Sequence, residues 1–207
     1  FTGAAITMAG IGAGGVVIDG AAGGNTVSGA AGAGIVIDPA GPVSITDMFI
    51  NNVVGDGISI DGVTSGGVFV ARNTINNTGG DGIHAADTSG SSGVTIWGNT
   101  LANSGTIGGK GIEVTNTSVL VSVSGNTIGS GALVNGDAIL IVTAGSATVS
   151  GNTIGTLAGN VGGSGVNLKT VSGSASVSGN TVSGISVEGM TITGVTGTLN
   201  VIGNIVN

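Results

Sequence analysis

The tripeptide Asn-Thr-[Ile/Val/Leu] recurs at Asn25, Asn73, Asn99, Asn126, Asn152 and Asn180, with degenerate copies at Met48-Phe49-Ile50 and Asn204-Ile205-Val206. Successive copies stand 23 to 28 residues apart. A near-constant period of that length marks a stacked repeat, in which each unit buries its apolar face only against its neighbours. A conventional globular fold has no reason to keep such a period.

Alignment on the Asn exposes three short apolar stretches per period. The first is an apolar-x-apolar pair: Ile35/Ile37, Ile58/Ile60, Ile83/Ala85, Ile112/Val114, Ile139/Ile141, Val166/Leu168 and Met190/Ile192. The second precedes the Asn, as in Val68/Val70, Val94/Ile96 and Val121/Val123. The third is the apolar residue two places after it. Alternation with period two reads as strand, and no segment sustains a 3.6 period, so no helix is expected. Three strands per period of about 26 residues, separated by Gly, Ser and Asn turns, predict an all-β parallel β-helix. The prediction is one domain over residues 1–207, with about eight coils and three parallel sheets.

The Asn of each repeat is expected at a sharp corner, where a left-handed residue is needed and Asn tolerates it better than other non-Gly residues. Its amide can bond the amides above and below. The predicted ladder is Asn25, Asn73, Asn99, Asn126, Asn152, Asn180 and Asn204. Met48 interrupts the column, which predicts the weakest step at coil two.

The Ser-Gly-Asn-Thr-Ile pattern, with Gly-Ile-x-Ile half a coil later, resembles the right-handed parallel β-helix repeat of the pectate-lyase-like superfold over nearly the whole chain. The resemblance is specific for architecture, since that fold carries lyases, hydrolases, epimerases, adhesin stalks and phage fibres. It implies that any enzyme chemistry would sit in the groove over the first sheet. There the resembled enzymes use calcium-binding Asp with an Arg or Lys base, or clustered Asp with His.

The outward row of the first sheet runs Val17, Val36, Ser59, His84, Glu113, Leu140, Asn167, Thr191, and the position before the Gly runs Ala33, Asp56, Asp81, Lys110, Asp137, Ser164, Glu188. This alignment sets His84 beside Glu113 and Asp81 beside Lys110, one strand apart. The functional reading is a small acid/base or cation site. The bland one is two cross-strand ion pairs on an uncharged wall. His84 lies in Gly-Ile-His-Ala-Ala, which does not match the catalytic His motif of the resembled enzymes, and Arg72 lies away at the Asn corner. No catalytic residue and no cofactor is assigned. Stacked Asp56 and Asp81 are a candidate calcium pair, weighed against the ordinary preference of Asp for turns.

Trp97 and Phe69 are the best outward aromatics for a glycan. The Thr rank (Thr26, Thr74, Thr100, Thr127, Thr153, Thr181) is expected to face outward without a second Thr rank, as β-branched residues suit strands. Asn76-Asn77-Thr78 and Asn116-Thr117-Ser118 match the glycosylation acceptor pattern by chance in so Asn- and Thr-rich a chain.

Only Arg72, Lys110 and Lys169 are cationic against ten acidic residues, a net charge of −7. That balance argues against nucleic-acid binding. No apolar run approaches the ~20 residues of a membrane-spanning helix. Cysteine is absent, so no disulfide or thiolate site exists. The chain begins at Phe1, as expected of a processed or excised segment. Its composition suits an extracellular or cell-surface protein. Both ends carry apolar strand residues and no recognisable cap, which predicts pairing with further copies. The leading expectation is a structural, non-enzymatic solenoid that stacks head to tail into a filament or forms part of a surface stalk. The alternatives are a secreted glycan-binding or glycan-cleaving β-helix using His84, Glu113, Lys110 and Asp81, and an adhesin passenger segment.

Overall fold

The computed structural model describes residues 3–20, 24–39, 41–102, 106–131, 133–155 and 161–207. Twenty-four strands form three eight-stranded sheets in which every pairing is parallel, and no helix occurs among the described residues. Each sheet takes one strand from each of eight coils. The first sheet runs from Ile6–Ile11 to Met190–Val195, the second from Val16–Asp19 to Leu199–Ile202, and the third from Thr26–Ser28 to Ile205–Val206. The architecture is therefore the parallel β-helix expected from the period.

Alternation explains the core. Ile35, Ile58, Ile83, Ile112, Ile139 and Val166 stack in register along the first sheet and are all fully buried. Val70, Ile96, Val123, Val149 and Val177 do the same in the second sheet. Ile50, Ile75, Leu101, Ile128, Ile154 and Val182 do so in the third. Each inward residue meets its own kind at the ~4.8 Å strand spacing, so one column of like shapes fills each side of the core. The Gly before the first-sheet pair is dictated by close approach. A Cβ on Gly82 would lie 2.6 Å from the carbonyl oxygen of Gly111 in the next coil.

Val17 lies in the second sheet opposite Ser44, not in the outward row of the first, where Thr7 stands beside Val36, and two further features depart from the expectations. The left-handed residue at the corner is not the Asn but the residue before it: Gly24, Asp47, Arg72, Gly98, Gly125, Gly151, Gly179 and Gly203, with φ between 56 and 67°. The ladder Asn turns its side chain into the core, so the backbone reversal falls one position earlier, mostly on Gly, which adopts it without a steric penalty. The second departure is a fourth column between the third and first sheets. Val53 pairs with Thr78, and isolated bridges continue through Ile107, Val134, Val161 and Ile185. Ile107, Val134 and Val161 are fully buried. This column lies on the turn that leads into the first sheet.

Candidate functional site

The charged cluster sits where that turn enters the first sheet. His84 pairs directly across from Glu113 in the strands Ile83–Ala86 and Ile112–Thr115. The His84 Nδ1 lies 2.9 Å from Glu113 Oε2 and 3.6 Å from Asp81 Oδ2. Asp81 is three residues before His84 on the same coil, just ahead of the close-packed Gly82. The Lys110 ammonium reaches Glu113 Oε1 at 3.1 Å. The sequence placed Asp81 beside Lys110, and the structure refines how they meet. It is the backbone N–H of Lys110 that donates to Asp81 Oδ1, at 2.7 Å, while the ammonium goes to Glu113. The side chain of Lys110 points along its own coil, where a carboxylate three residues on is nearer than the turn of the coil before.

Burial and pairing shift these groups in consistent directions. Hydrogen bonding to Asp81, against the opposing effect of burial and with further help from Glu113, raises His84 to about 9, so it is an imidazolium at neutral pH. Burial works against ionisation of Asp81, yet its bonds with His84 and the Lys110 N–H hold its carboxyl below the usual value. Burial likewise opposes the Lys110 charge, but its bond to Glu113 and the nearby Asp81 and Asp137 charges together raise it above its ordinary value. Two carboxylates face two cations.

Asp56 does not join the cluster. Its Oδ1 accepts the backbone N–H of Asp81 at 2.8 Å, just as Asp81 caps Lys110 and Asp137 caps Ser164 at 2.6 Å. The candidate calcium pair Asp56 and Asp81 is thus part of an axial series in which each carboxylate is turned to the next coil's amide. The sequence signal was an Asp before Gly at one phase of the repeat, and the direction of its bond was not legible. Among the described residues, Asp81, His84 and Glu113 are the one group whose ligand atoms lie within 4.8 Å of one another.

The Asn ladder runs through the opposite corner. Asn126 Oδ1 accepts both the backbone N–H of Asn99 at 2.9 Å and its Nδ2 at 3.0 Å, while Asn126 Nδ2 donates to Ile96 O at 3.0 Å. The same set recurs from Asn73 through Asn99, Asn152 and Asn180 to Asn204. Asn25 stands outside it. Asn25 is exposed and donates to Asp19 O at 3.2 Å, because Met48, buried beneath it, offers no amide. Met48 still donates its backbone N–H to Asn73 Oδ1 at 3.0 Å.

On the second sheet Phe69 and Trp97 are both exposed. Arg72 lies over the Trp97 ring at 5.9 Å and donates its Nε to Asp47 Oδ1 at 2.9 Å. A shallow groove lined by Val17, Pro42, Val43, Val68, Phe69 and Thr95 runs beside these rings, on a different face from the charged cluster. Of the two glycosylation patterns, Asn76 is buried and so out of reach. The Thr rank stacks in register on the third sheet, from Thr74 through Thr100, Thr127 and Thr153 to Thr181, with side chains half exposed.

A family model described as a right handed beta helix region matches residues 4–154 and again residues 56–207. The second placement begins about two periods after the first, as a repeat model does on a chain whose coils are interchangeable. No curated protein and no solved structure matches the chain. The matched ranges together span nearly the whole sequence and agree with the parallel coils and stacked columns; the chain belongs to the right-handed β-helix family.

Proposed function

We propose that the chain is a non-enzymatic structural solenoid that extends along its axis by head-to-tail stacking of copies. The observation that carries this reading is the register: three sheets keep one parallel register through eight coils, so each coil is a template for the next. Val177 and Val182 of coil seven are fully buried under Val201 and Val206 of coil eight. Inward positions of a β-helix are apolar because another coil covers them. A copy placed one period further on would set its Asn25 against Asn204 and its Val27 against Val206. Its three sheets would continue these three at ~4.8 Å per coil. The first-sheet wall supports the non-enzymatic part, since Asp81, His84, Lys110 and Glu113 pair their charges with one another.

Sedimentation velocity across a concentration series, with negative-stain imaging, tests the proposal. The 207-residue chain should form rods of several lengths that persist at high salt, because the contact is apolar and hydrogen-bonded. Val201→Lys and Val206→Lys put charge on the open edge and should leave only single rods. A wild-type chain that stays at monomer mass at every concentration would sink the stacking model. Hydrolysis or elimination on a polyuronate or neutral glycan, lost in His84→Ala, would instead favour the enzyme reading.

A further inference from the structure

We propose that Asp81, His84 and Glu113 form a binding site for one divalent ion of the zinc, cobalt and nickel class, which clips coil four to coil five. The claim is independent of self-association. It rests first on spacing. Ligand atoms about 2.1 Å from a four-coordinate ion stand about 3.4 Å apart. The distances from His84 Nδ1 to the two carboxylate oxygens, 2.9 and 3.6 Å, bracket that value. All three ligand atoms fall within 4.8 Å of one another. Two of the three ligand spacings therefore already stand close to those around a bound ion.

The second support is the shell around the ligands. Each carboxylate has its outer oxygen already held: Asp81 Oδ1 by the Lys110 N–H and Glu113 Oε1 by the Lys110 ammonium. The inner oxygens, Asp81 Oδ2 and Glu113 Oε2, are the ones turned toward His84 Nδ1. Outer-shell bonds of this kind orient metal ligands and limit the entropy lost on binding. The backbone adds rigidity, because His84 and Glu113 are paired residues of adjacent strands and Asp81 precedes a glycine with no room for a Cβ.

The third support is the donor set. One imidazole nitrogen and two carboxylate oxygens suit zinc-like ions, whereas calcium seeks six to eight oxygens, and Asp56, the nearest further carboxylate of the series, is turned to a backbone amide. The ion would occupy the place of the Nδ1 proton, which leaves to solvent. The His84 side chain is 26% exposed, so water from the groove can complete the coordination.

The experiment uses the full chain, stripped with a chelator and titrated with Co²⁺ while the visible absorption is recorded, with Zn²⁺ followed by thermal unfolding. One equivalent of Co²⁺ should produce ligand-field bands, and Zn²⁺ should raise Tm by mass action. His84→Gln and Glu113→Gln should each weaken Co²⁺ binding by at least about tenfold. Glu188→Gln, at the corresponding turn of coil eight, should leave it unchanged. Circular dichroism confirms that each variant keeps its strands, and Glu113→Gln serves if His84→Gln does not fold. No ligand-field bands at stoichiometric Co²⁺, equal binding by a folded ligand variant, or greater stabilisation by Ca²⁺ than by Zn²⁺ would each overturn the assignment.

Discussion

The Asn corner and the charged cluster both tie one coil to the next through side chains, and they do it by opposite means. The corner is neutral, nearly fully buried and repeated from coil three to coil eight. The cluster is charged and partly open, and joins coils four and five. A primary amide carries both a donor and an acceptor, so a column of Asn can satisfy every member with copies of itself and extend indefinitely. A column of carboxylates cannot, because like charges at that spacing repel. Each needs a cation or a backbone amide beside it, and the run ends where those end. The difference teaches why Asn suits a buried corner repeated coil after coil, whereas a charged tie needs partners of its own at each place.

The largest effect should come from breaking the corner. Asn126→Ala removes the acceptor for two Asn99 donors and the donor to Ile96 O, all buried. Leaving such groups unpaired costs about 1–3 kcal/mol each in the worst case, and with partial relaxation we expect a total of about 3 kcal/mol in urea unfolding. A loss under about 1 kcal/mol would mean that the ladder is ornamental.

The cluster should be distinguished by pH. The folded His84 is raised to about 9 from an ordinary value of 6.5. Its contribution is therefore fully present below about pH 6.5 and lost as pH rises through about 9. Asp81 is lowered, so its contribution is present above its ordinary value of 3.8 and lost as pH falls below it. In chelator, stability should fall between pH 6.5 and 9 by on the order of 1–2 kcal/mol, discounted for solvent screening. His84→Gln should flatten that slope, while Asn126→Ala should leave it intact. A slope that survives in His84→Gln would place the titration elsewhere.

The smallest effects should lie at the interrupted end of the ladder. Met48→Asn gives up a buried thioether but supplies an amide toward Asn25, and the two should offset to within about 1 kcal/mol. Asn25→Ala, at an exposed side chain with one bond to Asp19 O, should change stability by less than about 0.5 kcal/mol. An Asn25→Ala loss as large as that of Asn126→Ala would show that the ladder crosses Met48 after all.

These contrasts also mark what was legible in advance. The period, three strands per coil, the inward columns and the facing of His84 and Glu113 followed from alignment alone. In a parallel stack, equal phase in sequence means adjacency in space, so a repeat reports its own register. The corner conformation was misplaced by one residue. Both Asn and the preceding residue tolerate positive φ, and only the packed core shows that the Asn amide must point inward while the residue before it reverses the chain. The fourth column through Ile107, Val134 and Val161 was missed because each contributes a single apolar residue, too short for alternation to register.

By itself, then, the sequence determined the coil, its period and which residues face the core, since those depend on spacing and hydrophobicity along one dimension. Tertiary structure decided the orientation of polar side chains within that frame. It turned the Lys110 ammonium to Glu113 and its backbone N–H to Asp81, gave Asp56 to an amide, and left Asn25 outside the ladder. Those choices rest on angles and distances of a few tenths of an ångström between atoms on neighbouring coils. Hydrogen bonding is steep in such distances, and a one-dimensional pattern does not contain them.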